Sequence, residues 1–321
     1  MSNIRFERVS LRFPGSSNPA VDNCSCEIQA GQFVVILGPS GCGKTTLLKM
    51  VNLLYEPTAG NIYINDTDIR QMKATRLRQQ IGYVIQQSGL FPHMTVAQNI
   101  AVVPKLLNWE RSVIDDRIDE LLTLIELPPH VYRDRYPAQL SGGQQQRIGL
   151  ARALAGNPDV MLMDEPFGAI DAITRNSLQD EILRLQRQLK KTVLFVSHDV
   201  EEALKLADRI LVMRDGQIVQ YDTPFNILTQ PANSFVYDLL GADDMVRQLG
   251  LLRVETAMME LSPPYQQNGQ PTIARHQNLR QALSLILRTG ARELMVLENG
   301  ATVGVLTLEH IRDSAIATVA D

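Results

Sequence analysis

The sequence is short of cysteine, of aromatic residues and of long apolar runs, and each shortage excludes a class of protein. Three cysteines in 321 residues are too few and too badly spaced for a disulfide framework. The five histidines are scattered and provide no paired ligand spacing around Cys24 and Cys26, which argues against a structural metal. No apolar stretch approaches the roughly 20 residues that cross a bilayer, so the chain is not expected to span a membrane by itself.

The sequence also lacks a large excess of positive or negative charge. A net charge of −4 and a pI near 5.8 argue against a broad nucleic-acid-binding face. Residues 1–6 contain no apolar signal-peptide core, so export is not indicated and a cytosolic location is expected. The composition is that of a globular protein, and 321 residues exceed what one hydrophobic core usually supports. We therefore expect a large domain with a smaller appendix.

A glycine-rich loop is the main feature of what is present. It follows the apolar run Phe33–Leu37, which is typical of a buried parallel strand, and it leads into a helical pattern from Leu47. Glycines let backbone N–H groups approach a triphosphate closely, and a helix N-terminus favours negative charge. The spacing predicts that Lys44 reaches the β- and γ-phosphates and that the Thr45 hydroxyl ligates Mg²⁺. The predicted phosphate-binding residues are Gly38, Pro39, Ser40, Gly41, Cys42, Gly43, Lys44, Thr45 and Thr46.

Polar residues also follow two later buried strands. Val160–Met163 delivers Asp164 and Glu165 to its carboxyl end, where two adjacent acids are costly unless they have partners. Mg²⁺ supplies one partner, so Asp164 suits a metal-binding role and Glu165 the activation of an attacking water. The strand at 192–196 leads to His198, and a lone histidine at a strand end is more often structural than catalytic.

Two further residues have open roles when the pattern alone is considered. Gln86 follows the strand Ile81–Ile85, where it is either solvated or offers its carbonyl oxygen at the edge of the sheet that collects ligands. Phe13 lies upstream of the phosphate loop, where an aromatic ring either stacks on a nucleotide base or packs in an ordinary way. Spacing does not separate these alternatives.

Between about residues 88 and 158 the strand signals fade and helical patterns replace them. Ser112 resembles the start of a capping box before an amphipathic helix. Farther on, Ser141 is a candidate N-cap, and Gly142 and Gly143 at the same helix start form a second place for an anion. The pattern predicts a helical insertion between two parts of a sheet.

In their order along the chain, these motifs resemble the nucleotide-binding subunit of an ATP-binding cassette (ABC) transporter. The resemblance covers roughly residues 1–240, and its most specific element is the Leu-Ser-Gly-Gly-Gln signature at 140–144. It implies an α/β fold of the P-loop NTPase class with a helical subdomain at about 88–158. It also implies that the chain binds ATP and Mg²⁺ and hydrolyses ATP.

The resemblance implies catalytic roles for Glu165, His198, Lys44 and Gln86, and a metal-binding role for Thr45, Gln86 and Asp164. Asp164 supports Mg²⁺ and Glu165 acts as the general base. His198 holds the γ-phosphate and the attacking water. Lys44 binds phosphate, and Gln86 senses Mg²⁺ and contacts the membrane partner.

Further contacts follow from the same resemblance. Phe13 takes the adenine-stacking position, where the family often has Tyr. Asp171 belongs to the loop that makes fine contacts between subunits, in which Gly168 and Ile170 replace the family's usual Ser and Leu. The signature residues Ser141, Gly142, Gly143 and Gln144 contact the γ-phosphate of ATP bound to the opposite subunit. ATP therefore holds two copies of the chain together as a homodimer.

The implied assembly also contains separate transmembrane permease subunits and a substrate-binding protein, and no nucleic acid. The chain would lie peripherally on the cytoplasmic face of a bacterial inner membrane. Within the family, residues 85–100 most resemble ATPases of importers for osmoprotectants such as glycine betaine, choline and carnitine. One alternative is an ATPase of an amino-acid importer. Another is a soluble cassette protein, although such proteins usually carry two cassettes or a very long insertion.

The segment 241–321 has a different pattern. Asn278 is predicted to cap a helix that ends near Gly290, followed by strands at 294–297 and 302–306 and a last helix from about Leu308. This order resembles a single or degenerate CBS (cystathionine-β-synthase-type) module, which implies regulation of transport. His310 stands where that family has an acid for a ribose, so a segment that only dimerises or packs is an equal alternative.

Overall fold

The structure, a computed structural model, describes residues 2–85, 89–168, 172–242, 244–261 and 270–320. The chain divides into two compact units, Met1–Asp222 and Thr223–Asp321. The sequence placed the boundary after residue 240. The structural division falls earlier because the helices that begin at Pro224 and Ser234 pack with elements of the second unit.

The first unit alternates strands with helices. Its strands are β1 (Ile4–Leu11), β2 (Val21–Ile28), β3 (Phe33–Leu37), β4 (Ala59–Ile64), β5 (Thr67–Asp68), β6 (Ile81–Val84), β7 (Val160–Asp164), β8 (Thr192–Val196), β9 (Arg209–Arg214) and β10 (Gln217–Asp222). Its helices are α1 (Lys44–Val51), α2 (Ala74–Gln79), α3 (Val96–Ile100), α4 (Val102–Leu106), α5 (Arg111–Leu124), α6 (Pro129–Tyr132), α7 (Gly142–Leu154), α8 (Ala172–Leu189) and α9 (Val200–Leu206), with 3₁₀ turns at Ile69–Gln71 and Pro137–Gln139.

The central sheet of the first unit has the strand order β10-β9-β3-β8-β7-β6. All neighbouring pairs are parallel except β9 with β10. Every residue of β3 and β8 is buried, as expected of parallel strands that are covered on both faces. Because β3, β7 and β8 run in the same direction, the residues that follow them meet at one edge of the sheet.

A second, antiparallel sheet has the order β2-β1-β4-β5. The register places Ile4 opposite both Ile28 and Ile64, and all three side chains are buried. These residues belong to one aliphatic core that also includes Val34, Ile36 and the inner face of α1. The core therefore fixes the helix that begins at the phosphate loop against both sheets.

Between β6 and β7 the described chain is helical, as the sequence predicts. The apolar face of α5 is buried through Ile114, Ile118, Leu121 and Leu122. The predicted capping box at Ser112 is wrong, because α5 already begins at Arg111 and its N-cap residue is Glu110, which makes no side-chain cap hydrogen bond. Ser112 therefore lies within the first turn of the helix and does not precede it.

The second unit contains helices α10 (Pro224–Thr229), α11 (Ser234–Leu240), α12 (Met245–Leu251), α13 (Leu279–Thr289) and α14 (Leu308–Ala320), with a 3₁₀ turn at Val254–Thr256. Its strands are β11 (Met259–Glu260), β12 (Thr272–Ala274), β13 (Glu293–Glu298) and β14 (Ala301–Thr307), in the order β11-β14-β13-β12. The predicted helix, strand, strand, helix order of residues 278–320 is confirmed. The likeness to a CBS module stays a prediction.

Local signals explain the second unit well. The Asn278 side chain accepts a hydrogen bond from the Gln281 backbone, and α13 ends at Gly290 with φ 66°. His310 bonds reciprocally with Thr307, its backbone N–H donating to Thr307 Oγ1 at 3.2 Å. In the residues that the structure describes, no helix has the length and apolar character that crossing a membrane requires.

Candidate functional site

The phosphate loop connects β3 to α1 and is shaped by the chain around it. A side chain at Gly38 (φ 153°) would place its Cβ 2.3 Å from the Met213 carbonyl oxygen, and one at Gly43 (φ 104°) would lie 2.3 Å from the Ala20 carbonyl oxygen. A Cβ at Gly41 would meet no atom within 4 Å, so only the positive φ of 80° favours glycine there. The crest Pro39–Gly41 is exposed, Cys42 is buried, and Thr45 and Thr46 are half-buried.

Lys44 lies inside this loop. Its side chain is buried, and Nζ donates hydrogen bonds to the carbonyl oxygens of Gly38 at 2.7 Å and Pro39 at 3.0 Å. Carbonyl oxygens bear no net charge, so these two partners leave the ammonium charge available to an anion. The predicted position of Lys44 at the phosphates therefore fits the geometry.

Thr45 and Asp164 come together although they are far apart in the sequence. Thr45 Oγ1 donates a hydrogen bond to Asp164 Oδ1 at 2.8 Å. Burial raises the pKa of Asp164, and the hydrogen bond from Thr45 opposes that shift. A hydroxyl beside a half-buried carboxylate is an oxygen donor set of the kind that Mg²⁺ prefers.

Glu165 and His198 form a second pair at the same edge of the sheet. His198 Nδ1 lies 3.3 Å from Glu165 Oε2, and the imidazole is 62% exposed. Glu165 has a φ of 43°, a left-handed conformation that is costly for a residue other than glycine. Its backbone N–H donates to the carbonyl oxygen of Val196 at the end of β8, which links the two strand ends. The Glu165 side chain is 24% exposed and lies beside the exposed imidazole.

The signature begins helix α7. Ser141 accepts a hydrogen bond from the Gln144 backbone and Gln144 Oε1 accepts one from the Ser141 backbone, so the predicted N-cap is confirmed as a full capping box. A Cβ at Gly143 would lie 2.6 Å from Thr174 Cγ2 on α8, whereas a Cβ at Gly142 would meet nothing within 4 Å. The chain's own packing thus explains one of the two glycines. It leaves open space at Gly142, which is exposed.

Phe13 packs edge-on against Tyr55, with ring centroids 5.2 Å apart, and is 38% exposed. Both proposed roles for Phe13 survive this geometry, because part of the ring is packed and part is accessible. Tyr55 and Lys49, whose Nζ lies 5.7 Å from the Tyr55 ring centroid, were missed in the sequence because nothing local links them to Phe13. Gln86 and Asp171 lie outside the described residues.

The parallel sheet, the phosphate loop after its central strand and the acidic end of β7 define the class of P-loop NTPases. A family model described as ABC transporter matches residues 21–168. The chain is 47% identical over 309 residues to the carnitine transport ATP-binding protein OpuCA of Listeria monocytogenes, covering 96% of this chain and 76% of that protein. It is 45% identical over 312 residues to the glycine betaine uptake system ATP-binding protein YehX of Escherichia coli, covering 97% and 98% respectively.

Solved structures of ATP-binding cassettes are also similar to this chain. The dimeric post-hydrolysis state of the ATP-binding cassette MJ0796 bound to ADP and phosphate has a TM-score of 0.62 and 32% identity, covering 69% of this chain and 98% of that one. CbiO1 from Clostridium perfringens, at 23% identity and a TM-score of 0.67, shares the fold. The chain belongs to the ABC transporter family, as an ATP-binding subunit. The predicted family and fold class are confirmed.

Proposed function

We propose that this chain is the ATP-hydrolysing subunit of an importer for an osmoprotectant of the quaternary amine type. The observation that carries the ATP-hydrolysing part of this proposal is that Lys44, the pair Thr45 and Asp164, and the pair Glu165 and His198 all end or follow parallel strands at one edge of the sheet. The names of the relatives, which include carnitine and glycine betaine transport ATP-binding proteins, favour this substrate class over amino acids.

The triphosphate would lie over the phosphate loop, on the backbone N–H groups at the start of α1. Lys44 would exchange its loop carbonyls for the β- and γ-phosphate oxygens. Phe13 would contact the adenine with the exposed part of its ring. Each of these contacts uses a group that the chain's own packing leaves accessible or charged.

Mg²⁺ fits the oxygen donors Thr45 and Asp164, with Gln86 as a further proposed ligand. The hydroxyl and carboxylate are 2.8 Å apart, and the carboxylate is held half-buried, where its negative charge is costly without a cation. When bound, Mg²⁺ would neutralise charge that develops on the phosphate oxygens.

Hydrolysis would be performed by Glu165 and His198. Glu165 would orient a water for in-line attack on the γ-phosphorus and accept its proton, and ADP would leave as the bond to the β-phosphate oxygen breaks. His198 would donate a hydrogen bond to the γ-phosphate, since its exposed imidazole already lies 3.3 Å from the proposed base. The strained backbone of Glu165, with φ 43°, is the kind of conformation that clusters at functional sites and supports this role.

A second copy of the chain would complete the site. The exposed start of α7, with Ser141, Gly142, Gly143 and Gln144, would contact the γ-phosphate of ATP held by the partner, and Asp171 would lie between the subunits. Open space at Gly142 supports close approach of a ligand from outside the chain. We further propose that this homodimer lies on the cytoplasmic face of the membrane with separate permease subunits and a substrate-binding protein, which would bind the osmoprotectant.

Uptake of radiolabelled glycine betaine, choline and carnitine tests the function. A strain without the gene should lose uptake of at least one of them, and the wild-type gene should restore it whereas the Lys44→Ala gene should not. Radiolabelled methionine is the control for the amino-acid alternative. Loss of methionine uptake alone would replace the osmoprotectant by an amino acid. Unchanged uptake of all four in a strain without redundant importers would reject both transport functions.

A further inference from the structure

Buried polar side chains lie beside the backbone that carries His198. Ser197, Glu202 and Gln179 are 1%, 7% and 3% exposed. Ser197 directly precedes His198, Glu202 lies in the first turn of α9, and Gln179 is on α8. Burying a carboxylate and two polar groups costs free energy unless they bond to one another, so this cluster calls for a reason.

The hydrogen bonds of Ser197 fix the chain on both sides of His198. Ser197 Oγ donates to Glu202 Oε2 at 2.7 Å and accepts from the Asp199 backbone N–H at 2.9 Å. The Ser197 backbone N–H donates to the carbonyl oxygen of Ile36, two residues before the phosphate loop. The carboxylate of Glu202 therefore holds the hydroxyl that fastens the His198 turn.

The second oxygen of Glu202 points to α8. Gln179 Nε2 donates to Glu202 Oε1 at 3.4 Å, and Arg175 Nε lies 4.0 Å from the same oxygen. Burial raises the pKa of Glu202, and the hydrogen bond from Ser197 opposes that shift. The carboxylate of Glu202 therefore connects α8 to the turn after β8.

His198 itself contrasts with this support. Its side chain is 62% exposed and its near neighbour is Glu165. An exposed imidazole gains little orientation from packing, so the position of its ring depends on where the backbone is held. A displacement of about 1 Å can cost a reaction roughly 100-fold.

We propose that Glu202 is a positioning residue for His198, acting through the Ser197 hydroxyl. The inference rests on the proposed role of His198 in ATP hydrolysis. Glu202 is 7% exposed and bonds to Ser197 and Gln179, so the proposed role needs no contact with ATP or with the attacking water. Its loss therefore leaves nucleotide binding intact and lowers turnover.

The test measures ATP hydrolysis and nucleotide affinity of purified full-length variants. Glu202→Ala should lower kcat about 10- to 100-fold, with KM for ATP within about twofold. Glu202→Gln should recover most of the loss, since its carbonyl oxygen still accepts from Ser197. The control is Glu201→Ala, which removes the exposed carboxylate of the neighbouring residue and should leave kcat unchanged. A parallel loss of kcat and affinity in Glu202→Ala would contradict the proposal.

A double-mutant cycle with His198→Ala separates this inference from the proposed function. If Glu202 acts through His198, then Glu202→Ala should cost kcat little in the His198→Ala background. An undiminished kcat in His198→Ala alone would reject the catalytic role of His198. An impaired His198→Ala in which Glu202→Ala lowers kcat by its full factor again would reject the positioning role and keep the catalytic one. If Glu202→Ala does not fold, as judged by circular dichroism, Ser197→Ala replaces it in the same cycle.

Discussion

The two units of the chain follow local structural rules to different degrees. In the first unit, the sheet edge carries a glutamate with φ 43°, a buried lysine at position 44 and a buried carboxylate at position 202. In the described part of the second unit, the non-glycine residue with positive φ is Asn299, a type that tolerates this conformation in a turn. Its helix α13 starts at a full capping box and ends at a left-handed glycine.

The difference shows where this chain tolerates strained backbone and buried charge. Backbone strain costs of order 1–3 kcal/mol and burial of a charge costs several kcal/mol, and both persist where the surrounding structure holds them in place. In the first unit Glu165, Lys44 and Glu202 lie at the edge where ATP is proposed to bind, whereas Leu53 (φ 47°), Lys190 (φ 50°) and the buried Glu181 lie elsewhere. In the second unit, the local signals and the structure agree. We therefore expect substitutions there to change the stability of that unit and to leave ATP hydrolysis unchanged.

Replacement of the strained glutamate should have the largest effect. Glu165→Gln keeps the size and the backbone conformation but cannot accept the proton of water, so hydrolysis should fall about 10²- to 10⁴-fold. ATP binding should persist, and an ATP-held dimer should accumulate. Phosphate release measures the first effect, and light scattering with and without ATP the second. Turnover equal to that of the wild type would remove Glu165 as the base.

The buried lysine should have the next largest effect, on binding. Lys44→Ala removes the charged hydrogen-bond donor inside the phosphate loop, which should weaken ATP binding about 10- to 100-fold. Titration with a fluorescent ATP analogue measures the affinity. Lys205→Ala is the control, because this lysine pairs with Asp180 away from the loop. Unaltered affinity in Lys44→Ala would contradict the phosphate-loop role.

The features that could be predicted from the sequence are those that depend on residues close together in the chain. The strand before the phosphate loop is a continuous aliphatic run, and the caps at Ser141 and Asn278 need only side chains three residues apart. Each of these features is encoded within a few residues. The structure therefore agrees with the sequence at all three places.

What could not be predicted depends on residues far apart in the chain. Glu202 in a first helical turn matches the ordinary preference of acids for helix N-termini, and nothing nearby indicates that α8 buries it. The packing of Tyr55 on Phe13 is equally non-local. The predicted cap at Ser112 was wrong because α5 begins one residue earlier, at Arg111, and places of this kind at helix ends are the least determined by a local pattern.

The two signature glycines sharpen the comparison within the first unit. Gly143→Ala should destabilise the fold by about 1–3 kcal/mol, because the new Cβ would lie 2.6 Å from Thr174 Cγ2. Gly142→Ala has room in the chain and should fold normally, but its methyl group should obstruct the partner's ATP. We expect ATP-dependent dimerisation of a Glu165→Gln background to weaken about tenfold, which equals roughly 1.4 kcal/mol. Unimpaired dimerisation with Gly142→Ala would place the partner's nucleotide elsewhere.

The smallest expected effect lies in the second unit. Asn278→Ala removes the cap of α13 and should cost about 1 kcal/mol of stability there, visible as faster hydrogen exchange in that helix. Asn278→Asp, which also caps, should restore protection. Neither change should alter kcat or KM for ATP, because the proposed ATP site is built from residues of the first unit and α13 belongs to the second. If kcat instead changed in proportion to the loss of hydrogen-exchange protection, the two units would not be independent. The stability of the second unit would then regulate ATP hydrolysis by the first.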